Sequence, residues 1–389
     1  MRHRLPPALH LRDFGLLWIS SLANGLALQM LVVAIGWQVY AIHRNPLDLG
    51  FVGLAEFVPL PILALPAGHL ADRVERRLVV AGGLAVQVAI AVAAGIASAV
   101  TNPAGRALTP EIVPPELLPG AVALRSVANQ AGIVVGPAVG GVIFAIEPVA
   151  VYITAASLFL VACVTILGVT ARVAVAPATE LNWRNLSAGI GFIVRTRMLL
   201  GAISLDLVAV LLGDSIALAP VFARTILDVG PVGLGALRAA PSVGALTAGL
   251  LLTRRPLHYR AGPTLLAVVG AFGAMMIVFG VSRSLPLSLA ALAVSGFVDM
   301  ISMNIRSTAA LLVTPPELQG RVGAVEWVFI SASNELGAFE SGAMARLIGT
   351  VPAVVAGGAV MIGVAGSWRR LFPSLARMGR LDELRPEPV

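Results

Sequence analysis

The stretch Gly68-His69-Leu70-Ala71-Asp72-Arg73-Val74-Glu75-Arg76-Arg77 stands between two long apolar runs. Half of its ten positions are charged. A charge at the centre of a hydrocarbon core costs about 2.5–3.5 kcal/mol on insertion scales. The stretch therefore reads as a short turn at a membrane surface, and the runs 49–71 and 78–100 on either side of it read as spans.

Composition agrees. Of 389 residues, 58% are hydrophobic and 12% charged, against about 25% charged in soluble domains. Mean hydropathy is +0.91. The formal charge of +7 raises nucleic acid as a partner. The basic residues lie in short loops between apolar runs, so positive-inside topology accounts for them and no nucleic acid is expected. All 27 basic residues are Arg, which reads as base-composition bias. Cys163 is the single cysteine, so neither a disulfide framework nor a cysteine metal site is expected. No metal or cofactor is predicted. The basic N-terminus precedes an apolar run too long for a signal-peptide core and without an A-x-A site, so that run reads as an uncleaved first span.

A spanning helix needs about 20 apolar residues. The candidates are 14–41, 49–71, 78–100, 119–145, 149–170, 200–223, 231–253, 263–282, 286–309, 322–346 and 351–368. The long polar interruption is 171–199, whose part from Asn185 to Leu199 predicts an amphipathic surface helix. Two halves repeat across it. Val113-Pro114-Pro115-Glu116-Leu117 matches Thr314-Pro315-Pro316-Glu317-Leu318 at an offset of 201, and the same offset sets Gly136 on Gly337 and Gly141 on Gly342. The prolines end one helix and begin the next. The alternative is two unrelated proline-rich turns. From Arg77 to Pro114 is 37 residues, but from Arg255 to Pro315 is 60. The first half is short by 23 residues, about one membrane helix.

Arginines orient the chain. With the N-terminus inside, the inner loops carry Arg73, Arg76 and Arg77, then Arg172, Arg184, Arg195 and Arg197, then Arg254, Arg255, Arg260, Arg306, Arg321 and the arginines from 369 to 380. The outer loops carry few. This holds only if 101–119 is inside, so 78–113 is predicted to dip in and return on the cytoplasmic side. Two short helices, about 79–94 and 97–111, would bend near Gly95 or Pro103. A single straight span at 78–100 is the competing reading.

The pattern G-x-x-x-D-R-x-x-R-R at Gly68, Asp72, Arg73, Arg76 and Arg77 resembles motif A of the major facilitator superfamily. Trp37-Gln38-Val39-Tyr40, Leu49 to Leu54, Ile305-Arg306-Ser307-Thr308 and the block from Ser333 to Gly342 are similar to the branch holding enterobactin-type siderophore exporters and macrolide efflux proteins. The resemblance runs from about residue 12 to 380. It implies an all-α fold: a polytopic membrane protein of two helical bundles, with one helix of the first bundle missing or shortened. Residues 1–178 would form the N-terminal bundle of about five full spans, 179–199 a cytoplasmic linker with an amphipathic helix, and 200–389 a C-terminal bundle of six spans with a cytoplasmic tail. It also implies a secondary transporter of small organic molecules, coupled to protons. It would act as a monomer in the lipid bilayer of the cytoplasmic (inner) membrane, with both termini cytoplasmic. Asp72 and Arg73 would close the cytoplasmic gate, with Asp72 favouring the helix start near Arg321. Gly132-x-x-x-Gly136-Pro137-x-x-Gly140-Gly141 resembles motif C of drug:proton antiporters, with Ala123 where the full pattern has an earlier glycine. Small residues four apart equally describe a helix-packing face.

Ionisable residues inside spans tend to be functional. Glu335, beside Asn334, lies near the centre of 322–346, and Glu56 in the outer half of the second span. Asp206 and Asp214 are eight apart, Asp299 and Arg306 seven apart, so each pair shares a helix face. A carboxyl withdrawn from water can take up a proton near neutral pH. Glu335 with Asp206 or Asp214 are the expected proton carriers, facing the central cavity. Structural ion pairs are the competing reading for Asp299 with Arg306, and for Glu326 with Arg321 near a helix start. No P-loop, Ser/His/Asp order or metal spacing supports an enzyme. The non-transport alternative is a degenerate relative with a structural or sensory role.

Overall fold

The computed structural model describes residues 10–57, 112–170, 183–213, 215–254, 260–381 and 384–385. The motif at 68–77 and nearly all of 78–113 lie outside the described residues, so the gate and the dipping-helix expectations concern segments not described. Among the described residues there are helices and no strands. Among the described residues eight helices are long and apolar enough to cross a membrane, running from Arg12–Ile42 to Thr350–Leu371. They coincide with expected spans, whose ends shift by a few residues.

The chain forms two compact units: Met1–Trp37 with Val58–Leu181, and Gln38–Phe57 with Asn182–Val389. The first unit is built on α1 (Arg12–His43, up to Trp37), α3 (Leu118–Ile146) and α4 (Pro148–Leu167). On α4, Val151, Ala155, Phe159, Ala162 and Ile166 are buried, while Val149, Ile153, Leu160 and Val164 are exposed. Both faces are apolar, as a helix with one side on a core and one on lipid requires. The buried face meets Leu17, Ala23, Ala27 and Leu31 of α1. Ser20 Oγ donates to the Ala162 carbonyl at 2.9 Å, and Trp18 Nε1 to that of Leu124 at 2.8 Å. Asp13 accepts from the Thr170 backbone N–H at 3.1 Å, joining the start of α1 to the segment after α4.

The second unit holds α2 (Pro46–Phe57), α5 (Trp183–Arg195), α6 (Arg197–Gly213), α7 (Gly230–Arg254), α8 (Ala261–Val281), α9 (Leu285–Val313), α10 (Pro316–Ile348), α11 (Thr350–Leu371) and α12 (Pro373–Ala376). The amphipathic helix expected at 185–199 is α5. It stops at Arg195 and puts Phe192 and Ile193 inward. Gly189 sits against the Arg321 carbonyl, where a Cβ would stand 3.0 Å away. The span expected at 200–223 is interrupted. α6 ends at Gly213, and a 3₁₀ turn (Ile216–Leu218), one α turn (Ala219–Val221) and a π turn (Phe222–Ile226) carry the chain on. Tyr40 Oη and Thr225 Oγ1 share a hydrogen bond of 3.0 Å.

Glycines set the spacing of these helices, since without lipid-phase hydrophobic drive membrane helices associate through close packing. α7 and α9 touch backbone to backbone: a Cβ on Gly244 would stand 1.7 Å from the Ala293 oxygen, and one on Gly296 1.9 Å from that of Pro241. α8 meets α11 at Gly273 and Gly358, and α2 meets α10 at Gly50 and Gly342. The first turn of α8 has no intrahelical acceptors for its N–H groups. The tail supplies them: Ala261 donates to the Gly379 carbonyl at 2.8 Å and Gly262 to that of Met378 at 3.0 Å.

The repeat is visible in the backbone. Leu117 N–H donates to Pro114 at 3.0 Å, and Leu318 N–H to Pro315 at 2.9 Å. Gly136 of α3 lies against the Leu26 carbonyl of α1, and Gly337 of α10 against the Val210 carbonyl of α6.

Candidate functional site

α6 is apolar except at Ser204 and Asp206 between its basic first residue and Gly213. α9 carries Asp299, Ser302 and Arg306 at spacings of three and four, a stripe on one face. Packing of these helices brings Asp206 and Arg306 together, with Nη1 to Oδ2 at 2.5 Å. The side chains are 12% and 9% exposed, so the pair is withdrawn from solvent and makes a charge-assisted bond. Arg306 thus pairs with a carboxylate of another helix, while Asp299 stands seven positions before it on α9.

Two cavities flank this pair. One, of ≈ 90 Å³, is lined by Asp206, Asp299, Ser302 and Asn334 with Val210, Phe272 and Met361 among the apolar residues. A water needs roughly 10–15 Å³ of such space, so several fit. The other, of ≈ 10 Å³, is lined by Asp206, Arg306, Glu326, Phe329, Ile330 and Ser333 with apolar residues of α6. Glu326 lines this space and is half-buried.

Sequence-expected residues fall into three groups. Asp206, Arg306, Asp299 and Asn334 come together here. Glu335 lines neither cavity. It lies on the α2 side of α10, where a Cβ on Gly53 would stand 3.6 Å from its Oε2. Glu56 stands in the last turn of α2. Asp214, Gly68, Asp72, Arg73, Arg76 and Arg77 lie outside the described residues. The glycines of α3 form a packing face: Gly132 meets Gly25, Gly136 meets Gln29 and Gly140 meets Met30 of α1. Pro137 sits within that helix, and Gly141 is buried.

Ser302 and Ser333 were not singled out from the sequence as site residues, and Glu326 was weighed there only as a structural partner of Arg321. The signal was available as spacing, because Glu326, Phe329, Ile330 and Ser333 follow the i, i+3, i+4, i+7 stripe of one face. Among the described residues no cluster of His, Cys, Asp and Glu suits a metal ion.

Known proteins place this architecture. A bacterial homologue of the human lysosomal transporter Spinster, inward-facing and unoccupied, aligns with TM-score 0.74 at 15% identity, covering 99% of this chain and 100% of that one. A POT family transporter bound to a thioalcohol-conjugated peptide aligns with TM-score 0.73 at 13% identity, over 95% of this chain and 99% of that one. The nucleoside transporter NupG aligns with TM-score 0.71 at 12% identity, over 93% and 99%. At these identities the likeness is one of fold. No curated protein sequence matches. The model of the Major Facilitator Superfamily matches residues 17–338. An all-helical membrane chain with a buried ion pair between its spans, covered over most of its length by that family model, belongs to the Major Facilitator Superfamily and is a transporter, not an enzyme.

Proposed function

We propose that this protein exports small organic molecules of the drug, macrolide or siderophore-like class across the cytoplasmic (inner) membrane, as a proton-coupled antiporter working by alternating access. One observation carries the reading: Asp206 and Arg306 pair inside an apolar helical unit, with Glu326 and Asp299 lining the cavities beside them. Ionisable groups at membrane depth are costly, and proton relays are among the uses that retain them. The similarity around Asn334 to siderophore and macrolide exporters supports the substrate class, and the glycine-proline pattern of α3 supports antiport. The protein acts as a monomer with both termini cytoplasmic. Arg195, Arg197, Arg321, Arg369 and Arg370 flank the helix ends assigned to the inside, in keeping with the positive-inside rule. Asp72 and Arg73 serve the cytoplasmic gate in this reading.

Accumulation of a fluorescent cationic drug and of a macrolide in cells with and without the protein tests it. Lower accumulation, abolished by a protonophore and by Asp206→Asn at equal membrane abundance, is the expected result. Accumulation that ignores both the protein and the protonophore would sink the export reading. It would favour a second one, a relative with impaired transport and a structural or sensory role, for which the 23-residue shortfall before Pro114 speaks.

A further inference from the structure

Arg306 carries one positive charge and faces two carboxyl groups. Asp206 holds its Nη1 in direct contact. Glu326 lines the same ≈ 10 Å³ cavity, which has room for about one water and for no organic ligand. Arg306 is 8% exposed, and its Nε has no hydrogen-bond partner. The Ser333 hydroxyl, also in the lining, already donates to the Ile330 carbonyl at 2.9 Å.

The charges around Glu326 can be counted. α6 contributes Asp206 and α9 contributes Arg306. On α10 itself Arg321 stands five positions earlier. α5 meets α10 through Gly189 against Arg321 and Val325, and its Arg195 is exposed. Arg369 and Arg370 of α11 are exposed, and α2 meets α10 from Glu335 onward. The cavity lining thus holds one guanidinium and two carboxyls. With both carboxyls ionised, a net negative charge would stand in an apolar surround, which burial strongly disfavours. Asp206 is the carboxyl in direct contact with the guanidinium, and Glu326 is the one without such a contact.

We propose that Glu326 is the resting proton holder of this protein and Arg306 the switch that reads its state. When the Glu326 carboxyl gives its proton to water, the carboxylate takes the free Nε–H of Arg306, and the guanidinium bridges α6 and α10. Uptake of one proton from water returns Arg306 to Asp206 alone. The role of Glu326 as carrier in transport rests on the proton-coupled reading above. Its protonation at rest does not.

Infrared difference spectra of the purified protein test this without any substrate. Wild type minus Glu326→Gln at neutral pH is expected to show the C=O stretch of one protonated carboxyl. In an Asp206→Asn background Glu326 is the one carboxyl left in the lining of this cavity with Arg306, so the same subtraction should show an ionised carboxylate instead. Carboxylate bands in the wild-type subtraction, or a protonated band that survives Asp206→Asn, would overturn the proposal. Expected spectra together with drug accumulation that ignores a protonophore would leave the switch standing and remove the export function.

Discussion

At the scale of single residues, the smaller cavity of the second unit sets Arg306 against two carboxyls, Asp206 and Glu326. Replacing Asp206 leaves a buried guanidinium that Glu326 can still neutralise by ionising. Replacing both leaves it with no counter-ion in the cavity, and an uncompensated buried charge costs about 3–5 kcal/mol. Thermal unfolding of the purified protein is therefore expected to show a modest loss for Asp206→Asn and a small one for Glu326→Gln. Asp206→Asn/Glu326→Gln should lose clearly more than their sum. Simple additivity would show that Glu326 does not answer for Asp206. Asp206, Asp299 and Arg306 were legible in the sequence because each interrupts an apolar run. Their pairing was not, since spacing along one helix reveals shared faces and nothing about the helix opposite. Glu326 escaped for another reason: Glu317 and Arg321 precede it, so it reads as part of a polar helix start and loses its contrast.

At the scale of elements, the glycine contacts divide into those with no room and those with room to spare. Gly244 and Gly296 allow α7 and α9 to touch, and any Cβ there overlaps backbone, which cannot yield as a side chain can. Gly363 of α11 has no atom within 4 Å of a Cβ position. Overpacking costs about 1–3 kcal/mol or more. Gly244→Val and Gly296→Val should each lower the unfolding temperature and the folded yield, while Gly363→Val leaves both near wild type. Equal behaviour of the three would mean that α7 and α9 do not rely on this approach. Helix positions were readable from apolar run length alone. The break after Gly213 was not, because its 3₁₀, α and π turns are as apolar as the helix they interrupt. Pro220, which lacks an N–H, was the available hint. α10 shows the reverse case. At 33 residues it is about 50 Å long, enough to cross a bilayer, yet its six ionisable side chains dilute its hydropathy. Its apolar part was nevertheless long enough to stand among the candidate spans, as 322–346.

At the scale of the whole molecule, the repeat reaches from sequence into packing. Gly136 and Gly337 are 201 apart, but the carbonyls they meet, Leu26 and Val210, are 184 apart. The second half is thus 17 residues longer between its equivalent points, which agrees in sense with the shortfall before Pro114. The arginine pattern then sets a testable topology. In a Cys163→Ala background, a cysteine at position 104 should react with an impermeant maleimide only in inverted vesicles, and one at position 284 only in intact cells. Labelling of position 104 from outside would restore a straight span at 78–100. The Asp206–Arg306 pair has a consequence for biogenesis as well. The two residues leave the ribosome 100 positions apart, and each alone disfavours insertion at the helix centre by about 2.5–3.5 kcal/mol. α6 must enter the bilayer with an unmatched carboxyl and wait for α9 to be synthesised. The contact that balances charge in the finished protein is therefore also an assembly checkpoint. A chain truncated before α9 offers the cell's membrane proteases a helix whose acid has no mate.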